Sequence, residues 1–212
     1  MTIFFIGITA LISFMAFNNP EVFSKLQLNP YQVYHRKEWY RLITHGFVHA
    51  DWMHLIVNMF VLYMFGQNAE YILSKLEDLG YLKYYQLWYT GFYISSIVIA
   101  SLLTVAKHRD NYYYNSVGAS GAVSAVVFFF IFFDPYNTLL LFAIIPIPAI
   151  IFGAAYLIYS QYMSRKGNDN VNHDAHFVGA VFGFLFPLII DFSLLKDFID
   201  AFLTFDFFRG VH

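Results

Sequence analysis

Apolar residues along the chain gather in long stretches separated by shorter polar segments. A helix needs about 20 mainly apolar residues to cross a membrane, and six stretches meet or approach this length: residues 2–17, 52–73, 84–106, 117–133, 136–162 and 176–192. The first stretch ends at Asn18-Asn19-Pro20 and has no basic leading segment, so we interpret it as a retained helix and not as a signal peptide. In the fifth stretch, Pro146 and Pro148 predict a kink.

Two polar segments complete the pattern. The connection 18–51 is rich in aromatic and charged residues, and a loop of this length in a compact chain usually has a structural or functional role. The tail 193–212 alternates apolar with charged side chains, which predicts an amphipathic helix at the membrane surface. No segment resembles a separate soluble domain. We therefore predict a single all-α integral membrane domain over residues 1–212, built as a bundle of six transmembrane helices.

The composition agrees with a membrane protein that crosses the bilayer several times. Hydrophobic residues make up 59% of the chain and charged residues 12%, and the mean hydropathy is +0.54. A formal net charge of −2 excludes a strongly basic surface for nucleic acid. The chain has no cysteine, which excludes disulfides, thiolate catalysis and cysteine-bound metals. The composition therefore predicts the lipid bilayer as a partner and does not predict nucleic acid as one.

The order of the six stretches brings distant polar residues to one side of the membrane. The second, fourth and sixth helices would run in the same direction, so their N-terminal ends would open on one face. Those ends carry His54 with Asn58, then Ser120, then His176. His54 and Asn58 are four residues apart and so share a helix face. Polar residues inside a membrane are costly and often mark a functional site.

Small residues favour close packing of the fourth and sixth helices. Gly179 and Gly183 lie on the same face as His176, and the fourth helix offers Gly121, Ser124 and Ala125. Packing through these faces would bring Ser120 Oγ within about 2.6–3.2 Å of His176, the reach of a hydrogen bond.

Such a contact would suit a serine–histidine dyad. A serine hydroxyl becomes a good nucleophile when a base removes its proton, and histidine suits that role near neutral pH. Asp174 lies two residues before His176 and therefore off its helix face, so no acid completes a triad. Donors for a negatively charged oxygen would be the amides of Ser120 and Gly121, the Asn58 amide and the His54 ring.

These residues together resemble the rhomboid intramembrane serine proteases. In that family a Gly-x-Ser-Gly motif carries the nucleophile, as in Gly118-Ala119-Ser120-Gly121, and an Ala-His-x-x-Gly-x-x-x-Gly motif carries the base. The second motif is matched by Ala175, His176, Gly179 and Gly183, and the oxyanion motif His-x-x-x-Asn by His54 and Asn58. Trp39-Tyr40-Arg41 resembles the Trp-Arg signature of the first loop. Each motif alone is weak, but three in the right order on the right helices are specific.

The resemblance implies an activity, a class of substrate and a place in the cell. It implies a minimal six-helix protease of the bacterial type that cuts single-span membrane proteins near the point where they enter the membrane, after a small residue. It implies no cofactor and no metal. It places the chain in a bacterial inner membrane with the active face outside.

The distribution of positive charge disagrees with that orientation. With the N-terminus inside, the loops of the active face carry more basic residues: Lys25, Arg36, Lys37, Arg41, Lys107, Arg109, Arg165 and Lys166, against Lys75, Lys83, Lys196 and Arg209 on the other face. Basic loops usually stay in the cytoplasm. We expect the family's orientation to hold, because the long first loop would fold onto the membrane with its charges paired to Glu21, Glu38 or Asp51.

The chain departs from the family at one position. Four residues after the nucleophile, better-studied members place an aromatic ring that stacks on the catalytic imidazole, whereas this chain has Ser124. Another residue must then hold His176, and Phe128, one turn later on the same face, is the candidate.

Other interpretations use the same residues differently. Ser120 could be a helix-start serine among packing glycines, Asn58 could bond a neighbouring helix, and Trp39 could belong to the interfacial aromatic belt. His45 and His49 fit a loop-to-helix turn, and His173 and Asp174 fit a loop and cap. The pairs His45–His49 and His173–His176 also allow a membrane di-iron oxidase, although such enzymes need more paired histidines. A non-enzymatic alternative is an inactive rhomboid-like protein that binds transmembrane clients; such relatives typically lack the serine or the histidine.

Overall fold

The computed structural model describes residues 1–141, 144–166 and 171–204, and this part of the chain is mainly helical. The helices are α1 Thr2–Phe17, α2 Pro20–Leu26, α3 Pro30–Arg36, α4 Arg41–Thr44, α5 Trp52–Asp78, α6 Tyr85–His108, α7 Ser120–Phe133, α8 Ala149–Lys166, α9 His173–Ile190 and α10 Leu194–Leu203. A 3-10 turn, His45–Phe47, follows α4. Strands β1 Thr138–Leu141 and β2 Ile145–Pro148 form an antiparallel hairpin between α7 and α8.

Polar caps define where several helices begin. Asn19 and Asn29 accept hydrogen bonds from the first turns of α2 and α3, and each of these helices starts with a proline. Asp51 caps α5 and Asn172 caps α9 in the same way. An N-cap side chain satisfies amide groups that have no acceptor inside the helix. The caps on α5 and α9 matter most here, because they fix the helix ends that carry the candidate site.

Several helices are apolar enough for a membrane. Among the described residues, α6 and α9 are each long and apolar enough to cross one, and the segment Arg41–Phe47 together with α5 would add a third span that bends by 94°. Helices α1 and α7 are apolar but shorter, with 16 and 14 residues. The protein is therefore a helical membrane protein, and the number of six spans stays a prediction.

The expectation of one kinked helix over residues 136–162 is wrong. The first part of this range forms the hairpin, in which Thr138 pairs with Pro148 and Leu140 with Pro146. Proline has no amide hydrogen and its ring clashes with the preceding helical turn, so a helix cannot continue through two prolines spaced by one residue. Helix α8 accordingly begins at Ala149, directly after Pro148.

The other predicted boundaries shift by a few residues. Helix α5 runs five residues further than predicted, to Asp78, and α9 starts three residues earlier, at His173. Helix α7 starts at Ser120 and not at Val117, because Gly118 has a φ of +115° that a helix does not allow. Within the predicted amphipathic tail 193–212, residues Leu194–Leu203 form helix α10, and residues 205–212 lie outside the described part.

Helix α7 is the centre of the molecule. Its residues from Gly121 to Phe132 are all buried, as expected of a helix that is apolar on every side. Phe129 of α7, Phe92 of α6 and Phe186 of α9 meet in one aromatic cluster, where the rings of Phe92 and Phe186 are 4.4 Å apart. Phe198 of α10 stacks on Phe132 at 5.0 Å. Ser120 thus starts a helix that α6, α9 and α10 pack around.

Arg41 organises the long first connection. Its side chain is buried, donates to the carbonyl oxygens of Ser24 and Gln27 at 2.8 Å and pairs with Glu38 at 2.6 Å. Burial raises the pKa of the Glu38 carboxyl, but hydrogen bonds and charge from Arg41 outweigh it and leave this pKa below its usual value. The pair therefore stabilises the loop at neutral pH and is lost as the pH falls through that lowered pKa. Trp39, by contrast, is exposed.

Candidate active site

Ser120 and His176 lie side by side at the N-terminal ends of α7 and α9. The distance between Ser120 Oγ and His176 Nε2 is 2.7 Å, a hydrogen bond within the range expected from the sequence. Ser120 is the first residue of α7, and His176 lies in the first turn of α9. Asn172 fixes that turn, since its Oδ1 accepts a hydrogen bond from the amide of Ala175 at 3.1 Å. Two independent helix starts thus bring the pair together.

Glycine makes this closeness possible. A Cβ atom added to Gly179 would lie 2.1 Å from the carbonyl oxygen of Gly121, and one added to Gly183 would lie 2.0 Å from that of Ala125. Any side chain at either glycine would therefore push α9 away from α7. Gly121 is confined as well, because its Cβ would lie 2.6 Å from the Cβ of Ala100 on α6. The two backbones are in contact along the face that the sequence predicts.

Three histidines surround the two residues that precede Ser120. The Gly118 amide donates to the carbonyl oxygen of His45 at 2.9 Å, and the Ala119 amide donates to His49 Nε2 at 3.3 Å. The His54 ring packs against Gly118, where a Cβ would lie 2.6 Å from its Cε1 atom. Together with the φ of +115°, this contact explains why position 118 is glycine. His54 therefore lies beside the backbone that leads into Ser120.

The role of His49 in holding this loop was missed at the sequence level, where it was placed in a turn outside the site. Because His49 Nε2 accepts from Ala119, its proton must be on Nδ1 in the neutral ring. Nδ1 lies 3.0 Å from Ser13 Oγ, and the Ser13 hydroxyl also lies 3.0 Å from the carbonyl oxygen of Phe47 and donates to it. A fully buried chain of hydrogen bonds thus links α1 to the loop before Ser120. Only the tertiary structure shows that His49 bonds to Ser13 and to the Ala119 amide.

Asn58 is buried one turn after His54. Its Nδ2 donates to the carbonyl oxygen of His54 at 2.9 Å, so it bonds within its own helix and not to a neighbouring one. An amide nitrogen carries two hydrogens, and the second can serve a ligand.

Tyr156 of α8, which the sequence did not single out, stacks on His176. The ring planes differ by 24° and the centroids are 6.3 Å apart. Phe128, the residue expected to hold the imidazole, packs against Tyr156 at 5.8 Å. Ser124 contacts the Tyr156 hydroxyl at 2.7 Å.

Asp174 has other partners than the candidate base, as its position in the sequence predicts. Its carboxylate accepts hydrogen bonds from Lys107 of α6, at 2.8 Å to each oxygen, and from Ser164 of α8 at 2.5 Å. It therefore connects the ends of three helices above the site.

The histidines do not form a shared metal site in the described part of the chain, where no three His, Asp or Glu side chains are placed to hold one ion. His45 Nδ1 bonds the carbonyl oxygen of Arg41 at 2.8 Å, and both ring nitrogens of His49 are engaged as above. The spacing of His45 and His49 reflects loop anchoring here, and His176 contacts Ser120.

Comparison with known proteins gives a consistent result. A family model described as the rhomboid domain matches residues 36–191. RHOMBOID-like protein 12, mitochondrial, of Arabidopsis thaliana is 31% identical over 146 residues, which are 66% of this chain and 43% of that protein. Rhomboid-like protein 11, chloroplastic, of the same plant is 39% identical over 85 residues, 40% of this chain and 26% of that protein. The chain spans less than half the length of these two relatives.

The names of the relatives bear on the expected location of the protein. Both are proteins of organelles by name, so the comparisons give no support to a bacterial inner membrane. What the family and the apolar helices do establish is an integral membrane protein. Since the matched region includes both Ser120 and His176 and covers well over half of the sequence, this chain belongs to the rhomboid family.

Proposed function

We propose that the protein is an intramembrane serine endopeptidase that cuts single-span membrane proteins with a dyad of Ser120 and His176. The observation that carries this proposal is the 2.7 Å contact between Ser120 Oγ and His176 Nε2 at the N-terminal ends of two apolar helices. A base within hydrogen-bond reach of a serine hydroxyl is the arrangement that nucleophilic acyl transfer requires. The bundle of six transmembrane helices is part of the same proposal.

The chemistry follows from these two groups. Ser120 Oγ attacks the carbonyl carbon of the scissile peptide while its proton passes to His176 Nε2. The tetrahedral intermediate collapses, the C–N bond breaks, and His176 gives the proton to the leaving amine. A water molecule, deprotonated by His176, then attacks the carbonyl carbon of the acyl-serine ester. Ser120 leaves as the alkoxide and regains its proton from His176. The product with the new carboxyl end is then released. The same imidazole thus acts as base and acid in turn.

The negative oxygen of the intermediate has nearby donors. The first four amides of a helix have no acceptor within it, so the amides of Ser120 and Gly121 at the start of α7 are oriented for an anion. The second hydrogen of the Asn58 amide and the His54 ring add candidates from α5. Preorganised donors of this kind often make the largest single contribution to catalysis.

The decisive experiment compares wild type with Ser120→Ala and His176→Ala on a model single-span substrate in liposomes. We expect each variant to lose cleavage, and the double variant to be no worse than either alone because the two groups act as one unit. A fluorophosphonate probe should label wild type at Ser120. A folded wild-type protein that neither cleaves nor reacts at Ser120 would favour the inactive, client-binding type of rhomboid-like protein.

Asn58→Ala separates the oxyanion role from helix packing. Loss of one oxyanion donor slows turnover on the order of 10²–10³-fold, whereas loss of the bond to His54 alone would reduce stability and leave turnover of the folded protein unchanged.

The proposal includes the orientation of the protein in the membrane: the face that carries Ser120 lies on the outside. Four of its eight basic residues form ion pairs in the structure: Lys25 with Glu21, Arg41 with Glu38, Lys107 with Asp174 and Arg109 with Asp110. Such pairing reduces the charge that would hold these loops in the cytoplasm.

Because the chain has no cysteine, single cysteines can report this orientation. Tyr113, which precedes α7, and Leu79, which follows α5, are both exposed. In intact bacterial cells that express the protein, an impermeant thiol reagent should label Tyr113→Cys and leave Leu79→Cys unlabelled. The reverse result would show that the distribution of charge decides the orientation.

A further inference from the structure

Helix α7 has no aromatic side chain beside the face of the His176 ring at the position one turn after Ser120. That position is Ser124, whose hydroxyl lies 2.9 Å from the carbonyl oxygen of Ser120 and donates to it. A serine is too short to cover an imidazole ring. An imidazole that must receive and return a proton needs a fixed plane, because small errors in geometry reduce the rate strongly.

Tyr156 of α8 provides the missing ring. It stacks on His176 with an angle of 24° between the planes, and on its own helix it stacks on Phe152 one turn earlier, at 6.0 Å and 25°. Phe128 of α7 packs against it at 5.8 Å. The phenol ring is therefore confined by neighbours on two helices while one side of it meets the imidazole.

The hydroxyl of Tyr156 is anchored as well. Ser124 has a single hydroxyl hydrogen, and it donates this hydrogen to the Ser120 carbonyl oxygen. In the 2.7 Å contact between the two hydroxyls, Tyr156 must then be the donor and Ser124 the acceptor. A continuous chain of hydrogen bonds runs from Tyr156 through Ser124 to the backbone of Ser120. Tyr156 therefore contacts the His176 ring by stacking and is linked to Ser120 through the hydroxyl of Ser124.

We propose that Tyr156 is the positioning residue that fixes the plane of the His176 ring, with Ser124 as the acceptor that anchors its hydroxyl. This inference rests on the proposed protease function and deepens it. The aromatic support of the imidazole comes from α8 and not from α7, and Ser124 of α7 anchors the supporting residue.

The test uses four variants of the full chain in liposomes: Tyr156→Ala, Tyr156→Phe, Ser124→Ala and the double variant Ser124→Ala/Tyr156→Phe. Tyr162→Ala is the matched control, because Tyr162 lies on the same helix and is exposed. Two rates are measured for each: cleavage of a model substrate, resolved into kcat and KM, and phosphonylation of Ser120 by a small fluorophosphonate. The second rate reports activation of the serine without docking of a substrate helix.

We expect Tyr156→Ala to lower kcat and the phosphonylation rate by about 10-fold or more, with KM within about twofold. Tyr156→Phe keeps the ring and should stay within about threefold of wild type. Tyr156→Phe breaks only the hydrogen bond between the two hydroxyls, whereas Ser124→Ala also breaks the bond from Ser124 to the Ser120 carbonyl oxygen. The double variant should cleave no more slowly than Ser124→Ala alone, because the bond between the hydroxyls is already lost in that single variant. Tyr162→Ala should behave as wild type.

Several results would overturn the inference. A Tyr156→Ala protein with wild-type kcat, a loss confined to KM, or a Tyr156→Phe protein as slow as Tyr156→Ala would each show that the ring does not hold the imidazole. If Tyr156→Ala does not fold, Tyr156→Leu keeps α8 packed without an aromatic face and should show the same loss in kcat.

Failure of the proposed function looks different. A folded wild-type protein that does not react at Ser120 would contradict the proposed protease function. If wild type reacts at Ser120 and Tyr156→Ala cleaves at the same rate as wild type, only the proposed role of Tyr156 is contradicted.

Discussion

Helix α7 meets α9 on one side and α8 on another, and the two contacts are built differently. Against α9 the contact is between backbones, since Cβ atoms at Gly179 and Gly183 would lie 2.1 and 2.0 Å from carbonyl oxygens of α7. Against α8 the contact is between side chains, since a Cβ at Gly153 would lie 3.1 Å from the terminal Cδ1 atom of Ile131. Backbones cannot move aside, whereas the end of an isoleucine can.

The space around α8 shows the same contrast. An apolar pocket of about 240 Å³, partly open to the surface, lies between α7, α8 and α9 and is bordered by residues that include Phe128, Ile131, Gly153, Leu157 and Phe184. Protein interiors are otherwise densely packed, with few voids larger than a water molecule. The nucleophile and base thus lie on a rigid pair of helices, and the residue that we propose to position the base lies on a helix packed more loosely. The distance between Ser120 and His176 would then depend on the packing of α9 against α7, while the plane of the His176 ring would depend on α8.

The strongest test of this contrast is Gly179→Ala. Overpacking costs about 1–3 kcal/mol and occasionally more, and a clash with backbone at 2.1 Å belongs at the upper end. Separation of α7 from α9 would also pull His176 from Ser120, so we expect cleavage to fall on the order of 10²-fold. Thermal unfolding in detergent and a cleavage assay measure the two effects.

The matched control for that variant is Gly91→Ala on α6. A Cβ at Gly91 would have no atom within 4 Å, so neither stability nor cleavage should fall. Equal losses in both variants would show that the contact between α7 and α9 is not the cause.

The rigid side of the site also includes the loop before Ser120, and His49→Leu tests it. The substitution leaves the Ala119 amide buried without its acceptor, which costs about 1–3 kcal/mol. We expect a cleavage rate lower by about 10-fold, because the loop positions the start of α7. Ser13→Ala should have a smaller effect in the same direction, since it removes the partner of His49 Nδ1 and the donor to the Phe47 carbonyl oxygen but leaves the bond from the Ala119 amide to His49 in place. A His49→Leu protein with normal stability and cleavage would place this chain of hydrogen bonds outside the site.

Asp174→Asn tests the polar connection between the ends of α6, α8 and α9. The Lys107 side chain is 46% exposed, so its ion pair with Asp174 is screened by solvent and should contribute about 1 kcal/mol or less. We expect a small loss of stability that shrinks as salt is raised, and cleavage within about threefold of wild type. A loss of cleavage as large as in Gly179→Ala would instead give Asp174 a catalytic part.

Gly153→Ala should have the smallest effect. Ile131 can rotate or shift by a few tenths of an ångström, and the neighbouring pocket offers space, so we expect a change below about 1 kcal/mol and nearly normal cleavage. If Gly153→Ala destabilises the protein as much as Gly179→Ala, the contrast between the two contacts is wrong.

Local sequence patterns predicted the parts of the site that depend on spacing along one helix. His54 and Asn58 share a face because they are four residues apart, and Gly179 and Gly183 share a face with each other for the same reason. Combined with the common direction of the second, fourth and sixth stretches and the small residues of the fourth, this spacing predicted that Ser120 lies beside His176. The pairing of strands Thr138–Leu141 and Ile145–Pro148 was missed because apolar character alone does not distinguish a strand from a buried helix segment. The two prolines were the available signal, and they were interpreted as a kink.

The sequence by itself determined that this is an apolar helical protein with a serine, a histidine and packing glycines at the ends of particular helices, because helix periodicity is a local property. The tertiary structure alone decided which residues from other helices complete the site. Ser13 reaches His49 across 36 positions and Tyr156 reaches Ser124 across 32. Neither pairing has a periodic signature, since it arises only when α1 and α8 pack around the core. The side chain that orients His176 was therefore visible only in the folded chain.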